Sequence, residues 1–167
     1  MKRIKIQWHR LVAPIVGAAL SLLVGLICAF LTRKDMNLAD YATLPPLAPP
    51  SWLFPIVWTV LYILMGIGAG VIYNRRQSDE PAARTALLTF LFQLLINFLW
   101  SIVFFKCKAV LLALILLAVL LGAVIKMTVD FWRLYPLAGK LQIPYVVWLG
   151  VAFYLNFAIL LLNGAQL

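Results

Sequence analysis

Five stretches of the chain are free of charged side chains and long enough to cross a lipid bilayer as helices. They cover residues 11–32, 41–74, 85–105, 109–125 and 141–167. A helix rises about 1.5 Å per residue, so about 20 apolar residues span the roughly 30 Å hydrocarbon core. The runs lack the alternation of polar and apolar residues that marks the strands of a membrane barrel. The sequence therefore predicts an all-α integral membrane protein, a five-transmembrane-helix bundle.

The apolar runs divide the chain into five spans and one long loop, all in a single transmembrane domain over residues 1–167. We expect the spans at about residues 11–31, 53–73, 84–105, 109–129 and 142–163. Residues 32–52 contain Pro45, Pro46, Pro49 and Pro50, which stiffen this segment and prevent a regular helix. It is expected to cap one end of the bundle. Pro14 is expected in the first turn of its helix, where a missing N–H is tolerated.

Charge is sparse and lies at the ends of the spans. The chain has 14 Lys and Arg residues against five Asp and Glu residues. Ten of the basic residues fall in the N-terminal segment and in residues 74–84 and 126–140, which places the N-terminus inside the cell by the positive-inside rule. This distribution explains the basic charge without a nucleic-acid partner. We expect a multi-pass protein of a bacterial cell membrane, with the bilayer as its surroundings.

Small residues and cysteines indicate packing rather than chemistry. Ala13, Gly17, Ser21 and Gly25 recur every four residues, and Gly66 and Gly70 repeat this spacing in the second span. Such stripes let helices approach closely, within one chain or between protomers, and we expect a homodimer through a small-residue face. We expect Cys28 and Cys107 to be two unpaired thiols, and a disulfide between them is the alternative. No metal-ligand spacing is present, so no metal site and no resident cofactor are predicted.

Polar and aromatic residues inside the spans are the candidates for a binding site. In lipid they have no partner except each other or a ligand. Their helical spacing places one set on one face of each of three spans: Trp58 and Tyr62; Gln93, Asn97, Trp100 and Phe104; Tyr145, Trp148, Ala152 and Asn156. These faces suit a flat, conjugated, mostly apolar ligand, with rings stacking and amides bonding its few polar atoms. The alternative is that the aromatic residues only pack and the amides only join helices.

Several function classes have no support. No charged residue falls in the middle of a span, which disfavours a proton relay or an ion-coupled transporter. The sequence has no Ser/His/Asp set, no phosphate loop and no pair of carboxylates typical of acid–base catalysis.

Three motifs in order resemble the translocator protein/tryptophan-rich sensory protein family (TspO/MBR), which includes the peripheral-type benzodiazepine receptor. Residues 49–66 read PPSWLFPIVWTVLYILMG, similar to the family pattern P-P-G-W-x-F…W-T-x-L-Y-x-L-M-G. Residues 93–105 resemble its Q-x-x-x-N-x-x-W-S-x-x-F-F helix, and residues 144–156 resemble its P-Y-x-x-W…Y-L-N helix. Ser51 stands where the family has glycine. No basic residue follows Tyr154, so the family's sterol signature is absent and sterol binding is not predicted.

The resemblance implies a receptor-like membrane protein whose loop-capped pocket binds porphyrins and benzodiazepine-type drugs, with a sensory or transport role. The pocket predicted from the helical spacing and the resemblance together comprises Tyr41, Pro49, Trp58, Tyr62, Gln93, Asn97, Trp100, Phe104, Trp148 and Ala152. Porphyrin is here a ligand and not a cofactor. No catalytic residue is predicted for the receptor. Two alternatives stay open: an enzyme that degrades porphyrin in light through Trp58 and Trp148, and a passive small-molecule transporter.

Overall fold

The computed structural model describes residues 9–40 and 42–165, and within them the chain is helical, with no strand. Six helices follow one another: α1 (His9–Thr32), α2 (Leu53–Arg75), α3 (Glu80–Ser101), α4 (Val110–Leu134), α5 (Pro136–Lys140) and α6 (Ile143–Asn163). A π-helical turn, Ile102–Lys106, extends α3. In the described part of the chain, five segments are long and apolar enough to cross a membrane: Arg10–Thr32, Leu53–Arg75, Glu80–Lys106, Val110–Leu134 and Pro136–Asn163. The predicted fold class is confirmed.

The ends of two helices differ from the predicted spans for local reasons. α3 begins at Glu80 instead of residue 84, because the Asp79 side chain accepts a hydrogen bond from the Ala82 N–H at 3.2 Å. α4 continues beyond residue 129 to Leu134 and stops where Tyr135 adopts an extended conformation before Pro136. The ring of a proline makes the helical conformation unfavourable for the residue that precedes it.

Pro14 lies in the interior of α1, and the expectation that it occupies the first turn is wrong. A proline inside a helix leaves the carbonyl four residues earlier without its usual N–H donor. That carbonyl belongs to Arg10, and it accepts a hydrogen bond from the Asn74 side-chain amide at 2.7 Å. The contact joins the start of α1 to the end of α2 and satisfies a backbone group that lipid cannot satisfy.

α2 occupies the centre of the bundle and contacts every other helix. Its most extensive contact is with α1, where the backbones meet directly. A Cβ atom on Gly66 would overlap the backbone oxygen of Gly17, and one on Gly70 would overlap the backbone of Ala13. Small residues therefore allow the close approach on which helix association in lipid depends.

The small-residue stripe of α1 consequently serves packing within one chain. Gly17 and Ala13 face α2, and Gly25 lies against the Tyr62 ring. Of the two roles that the sequence leaves open for this stripe, the structure shows packing within one chain, because α2 of the same chain covers it. A homodimer through a small-residue face stays a prediction. Cys28 is buried, Cys107 is exposed, and both are free thiols.

The long loop is fastened to the last helix. Thr43 forms two hydrogen bonds with the Asn163 side chain: its N–H donates to Oδ1 at 2.8 Å, and its carbonyl accepts from Nδ2 at 3.0 Å. The Tyr154 hydroxyl donates to the Pro46 carbonyl at 2.7 Å. A 3₁₀ turn at Leu38–Asp40 precedes the prolines. These bonds hold the loop across the end of the bundle at which α1 ends and α2 begins.

Substituting Gly66→Ala is expected to lower the free energy of unfolding by about 1–3 kcal/mol, because the added methyl group overlaps the α1 backbone. Gly122→Ala is the matched control, since nothing lies within 4 Å of a Cβ atom at that position. Unfolding in detergent micelles by titration with a denaturing detergent measures both. Equal stability of the two variants would contradict backbone contact between α1 and α2.

Substituting Asn163→Ala is expected to release the loop by removing both bonds to Thr43. At about 1 kcal/mol per bond, the two lost bonds together should accelerate hydrogen exchange of the loop amides about thirtyfold. Exchange measured by mass spectrometry on peptides covering residues 42–52 reports the change. Leu162→Ala, at an exposed neighbouring position, is the control and should leave the loop amides unchanged.

Candidate functional site

Trp58 is the centre of an aromatic cluster contributed by three membrane spans. Its ring centroid lies 5.8 Å from that of Tyr62 on the same helix and 6.0 Å from that of Trp100 on α3. Tyr145 of α6 meets it edge-on at 6.1 Å. Ring pairs at these separations attract each other beyond the burial of their area. The structure thus brings the predicted aromatic residues of the second, third and fifth spans together.

The π-helical turn after α3 extends this cluster with two consecutive phenylalanines. Phe104 stacks on Trp100 at 5.6 Å with an interplanar angle of 15°. Phe105 meets Trp100 and Phe104 edge-on at 6.1 and 5.0 Å. Both phenylalanines are buried, whereas neighbouring residues of a regular helix point about 100° apart. Phe105 is absent from the predicted site because helical periodicity does not indicate a π turn.

Trp148 contacts α2 through Phe54, a residue that helical spacing did not predict for the site. Phe54, in the first turn of α2, meets the Trp148 ring edge-on at 5.6 Å and 72°. Ala152, one turn further along α6, is buried on a nearby face. Phe54 stands in the motif that resembles the family, which is the one signal in the sequence that marks it.

The predicted amides are engaged in a buried hydrogen-bond chain between helices. Tyr62 donates to Asn97 Oδ1 at 3.3 Å, and Asn97 Nδ2 donates to the Tyr145 hydroxyl at 2.6 Å. Tyr145 in turn donates to Gln93 Oε1 at 3.0 Å, and Gln93 Nε2 approaches the Met65 sulfur at 3.7 Å. The chain links α2, α3 and α6. In this arrangement the amides bond protein groups, as the alternative interpretation of the sequence requires.

Other buried polar groups on α3 and α6, two of the helices that form the cluster, have no hydrogen-bond partner among the described residues. They are the indole Nε1 atoms of Trp100 and Trp148 and both side-chain amide atoms of Asn156. A buried polar group without a partner costs about 1–3 kcal/mol. Native proteins contain few of them, and each is explained by a bound water or ion, by local strain or by a functional role. The two indole N–H groups and Asn156 Nδ2 are donors, and Asn156 Oδ1 is an acceptor.

Two apolar cavities adjoin the aromatic cluster. The loop cavity, of about 190 Å³, lies beneath the 32–52 loop and includes Pro49 and Ile159 in its wall. The α1–α2 cavity, of about 180 Å³, is lined by Cys28, Trp58 and Tyr62, among others. The two cavities share Met36, Phe54 and Phe105 as walls.

The predicted site residues therefore fall into three groups. Pro49 lines the loop cavity, and Trp58 and Tyr62 line the α1–α2 cavity. A second group packs behind the cavity walls: Gln93, Asn97, Trp100, Phe104, Trp148 and Ala152. Tyr41 lies outside the described residues. Among the described residues, no group of three or more His, Cys, Asp or Glu side chains could hold a metal ion.

The comparison with known proteins agrees with the motifs. The model of the TspO/MBR family matches residues 17–162, which is most of the chain. The chain belongs to the TspO/MBR family. It is 36% identical to the tryptophan-rich protein TspO of Chlorobaculum tepidum over 147 residues, covering 86% of this chain and 91% of that protein. It is 30% identical to the human translocator protein over 148 residues, covering 87% of this chain and 88% of that protein.

A third relative extends the comparison to a protein with a different name. Protein CrtK of Rhodobacter capsulatus is 36% identical over 122 residues, covering 73% of this chain and 76% of that protein. The family resemblance drawn from the sequence motifs is confirmed.

Substituting Tyr145→Phe in this TspO/MBR protein is expected to lower the free energy of unfolding by about 1–3 kcal/mol. The change leaves Asn97 Nδ2 and Gln93 Oε1 buried without their partner. Tyr73→Phe is the control, because Tyr73 is exposed and its hydroxyl forms no hydrogen bond among the described residues. Thermal unfolding in detergent compares the two, and equal melting midpoints would contradict the buried chain.

Proposed function

We propose that this protein is a membrane-embedded receptor for a flat, conjugated, mostly apolar ligand of the tetrapyrrole class. Benzodiazepine-type compounds, which are also aromatic and mostly apolar, would bind at the same place. The site is the aromatic cluster around Trp58 together with the two adjoining cavities. Its task is sensory or transport, in keeping with the names of two relatives, the tryptophan-rich sensory protein of Cereibacter sphaeroides and the human translocator protein.

The observation that carries the proposal is the pair of unpartnered indole N–H groups next to the cavities. Trp148 packs against Phe54, and Trp100 packs against Phe105. Phe54 and Phe105 are themselves walls of both cavities. Each indole ring is therefore separated from a cavity by one phenylalanine ring. Purely structural tryptophans usually place a buried N–H against an acceptor, so these two favour a ligand with its own acceptor atoms.

Ligand size is consistent with this site only if the two cavities act as one. Each is smaller than the roughly 300–1,000 Å³ typical of pockets for drug-sized ligands. Rotation of Phe54 and Phe105 would open their common wall. The 32–52 loop, held by its bonds to Asn163 and Tyr154, would then close the joined pocket at this end of the bundle. Stacking on Trp58 and Tyr62 and burial under Pro49 would supply most of the binding free energy.

The predicted polar residues take a supporting role in this proposal. Asn97 and Gln93 hold Tyr145, and Tyr145 in turn packs against Trp58. They would orient the aromatic wall and reach the ligand only by exchanging a partner. Ala152 would leave room beside Trp148, and Phe104 would support Trp100 by stacking. A role for Tyr41 stays a prediction from the family resemblance.

Substituting Trp148→Ala is expected to weaken protoporphyrin binding by about 1–3 kcal/mol, the contribution of one buried aromatic contact. Quenching of tryptophan fluorescence during a protoporphyrin titration of the purified protein measures the affinity. Trp52→Ala is the matched control, because Trp52 is 64% exposed and lies outside both cavity walls. Unchanged affinity in a folded Trp148→Ala variant, or equal loss in both variants, would place the ligand elsewhere.

The same preparation separates the receptor from the two alternative functions. Loss of the porphyrin absorption band in light but not in darkness, abolished in Trp58→Phe or Trp148→Phe, would support the degrading enzyme. Porphyrin flux into protein-containing vesicles without saturable quenching would support the passive transporter. Saturable quenching with a stable porphyrin band supports the receptor.

A further inference from the structure

The end of the bundle opposite the long loop contains a basic cleft that the proposed receptor function does not use. This cleft of about 640 Å³ lies where α1 begins, α2 ends and α4 turns into α5. Its wall includes three arginines, Arg10, Arg75 and Arg76, and no Asp or Glu side chain. It is larger than either apolar cavity and, unlike them, mainly polar.

Two of the three guanidinium groups are held in position by aromatic rings. The Arg75 guanidinium carbon lies 4.4 Å from the centre of the Tyr135 ring. That of Arg76 lies 3.8 Å from the centre of the Tyr73 ring, and its Nη1 donates to the Tyr73 carbonyl at 2.9 Å. Such contacts orient the guanidinium groups and leave their charge uncompensated.

No carboxylate neutralises the cleft within the described part of the chain. Among the described residues, Lys126 and Asp130 form an ion pair, and neither residue belongs to the cleft wall. Glu80 lines a separate groove that also contacts Arg76 but neither Arg10 nor Arg75. None of these three arginines forms an ion pair with another described residue. A bound anion would relieve the mutual repulsion of the three positive charges around this concave space.

The remaining wall residues define which anion fits. Ser78 and the amides of Asn74 and Gln77 add hydrogen-bond donors, and Val71 and Leu137 add an apolar side. A phosphate group accepts paired hydrogen bonds from guanidinium groups. The cleft lies at the ends of membrane-spanning helices, where phospholipid headgroups are the most abundant phosphates and where basic pockets between helices bind them.

We propose that this cleft binds the phosphate of an anionic phospholipid headgroup, with the glycerol and upper acyl carbons against Val71 and Leu137. The basic residues at this end then act as a defined lipid site, in addition to their general effect on orientation. A soluble phosphate compound would share the same recognition chemistry, and the experiment separates the two sources.

The experiment uses the full chain in a neutral detergent and measures thermal unfolding during titration with phosphatidylglycerol. We expect a saturable rise in the melting midpoint with phosphatidylglycerol and a much smaller one with phosphatidylcholine, whose headgroup has no net charge. The double variant Arg75→Gln/Arg76→Gln should weaken the apparent affinity for phosphatidylglycerol about tenfold or more, since each charged hydrogen bond contributes strongly. Arg84→Gln is the matched control, an exposed arginine of α3 outside the cleft wall.

A second variant keeps the test decisive if the double variant does not fold. The hydrogen bond between Arg10 and Asn74 uses the Arg10 backbone carbonyl, so Arg10→Gln removes a cleft charge and keeps that bond. It should weaken phosphatidylglycerol binding about three- to tenfold. Equal binding of phosphatidylcholine by the unmodified protein, or equal loss in Arg84→Gln, would overturn the site. An equal midpoint rise with glycerol phosphate would overturn the lipid as the source.

Discussion

The structure depends on direct backbone contact between α1 and α2. Lipid chains are as apolar as leucine, so helices in a membrane associate through close packing rather than through exclusion of water. Gly66 and Gly70 permit that packing against Gly17 and Ala13. α2 also changes character along its length: small residues occupy its second half and large aromatic residues occupy its first. The bundle is consequently tight around Gly66 to Gly70 and wider around Phe54 to Tyr62, where both apolar cavities lie.

Two kinds of buried polar group meet in the wider half of the bundle. Tyr62, Asn97, Tyr145 and Gln93 satisfy one another across three helices. The indole N–H groups of Trp100 and Trp148 have no such partner. A satisfied network specifies one arrangement of helices, whereas an unpaired donor lowers stability unless a ligand completes it. The first set therefore positions the aromatic wall, and the second is available for recognition.

The two ends of the bundle offer different chemistry. One end is closed by a proline-rich loop that Asn163 and Tyr154 fasten to α6, above apolar cavities. The other end carries arginines stacked on tyrosines around a polar cleft. At this second end, Asn74 joins α2 to α1 by donating a hydrogen bond to the Arg10 carbonyl, which Pro14 leaves without its helical partner. An apolar, conjugated molecule suits the first end and a phosphate suits the second, so the two sites would not compete for a ligand.

The sequence alone determined the number of spans, the membrane environment, the family and the faces that Trp58, Asn97 and Trp148 share with their neighbours. The length of an apolar run and its helical periodicity are local properties of the chain, so the sequence alone is enough to identify them. Only the tertiary structure decided that Asn97 and Gln93 bond Tyr145, that Phe54 and Phe105 separate two cavities, and that the small-residue stripe is covered by α2. These outcomes depend on how far each helix is rotated and shifted against the next. That geometry is set by packing between residues far apart in the chain.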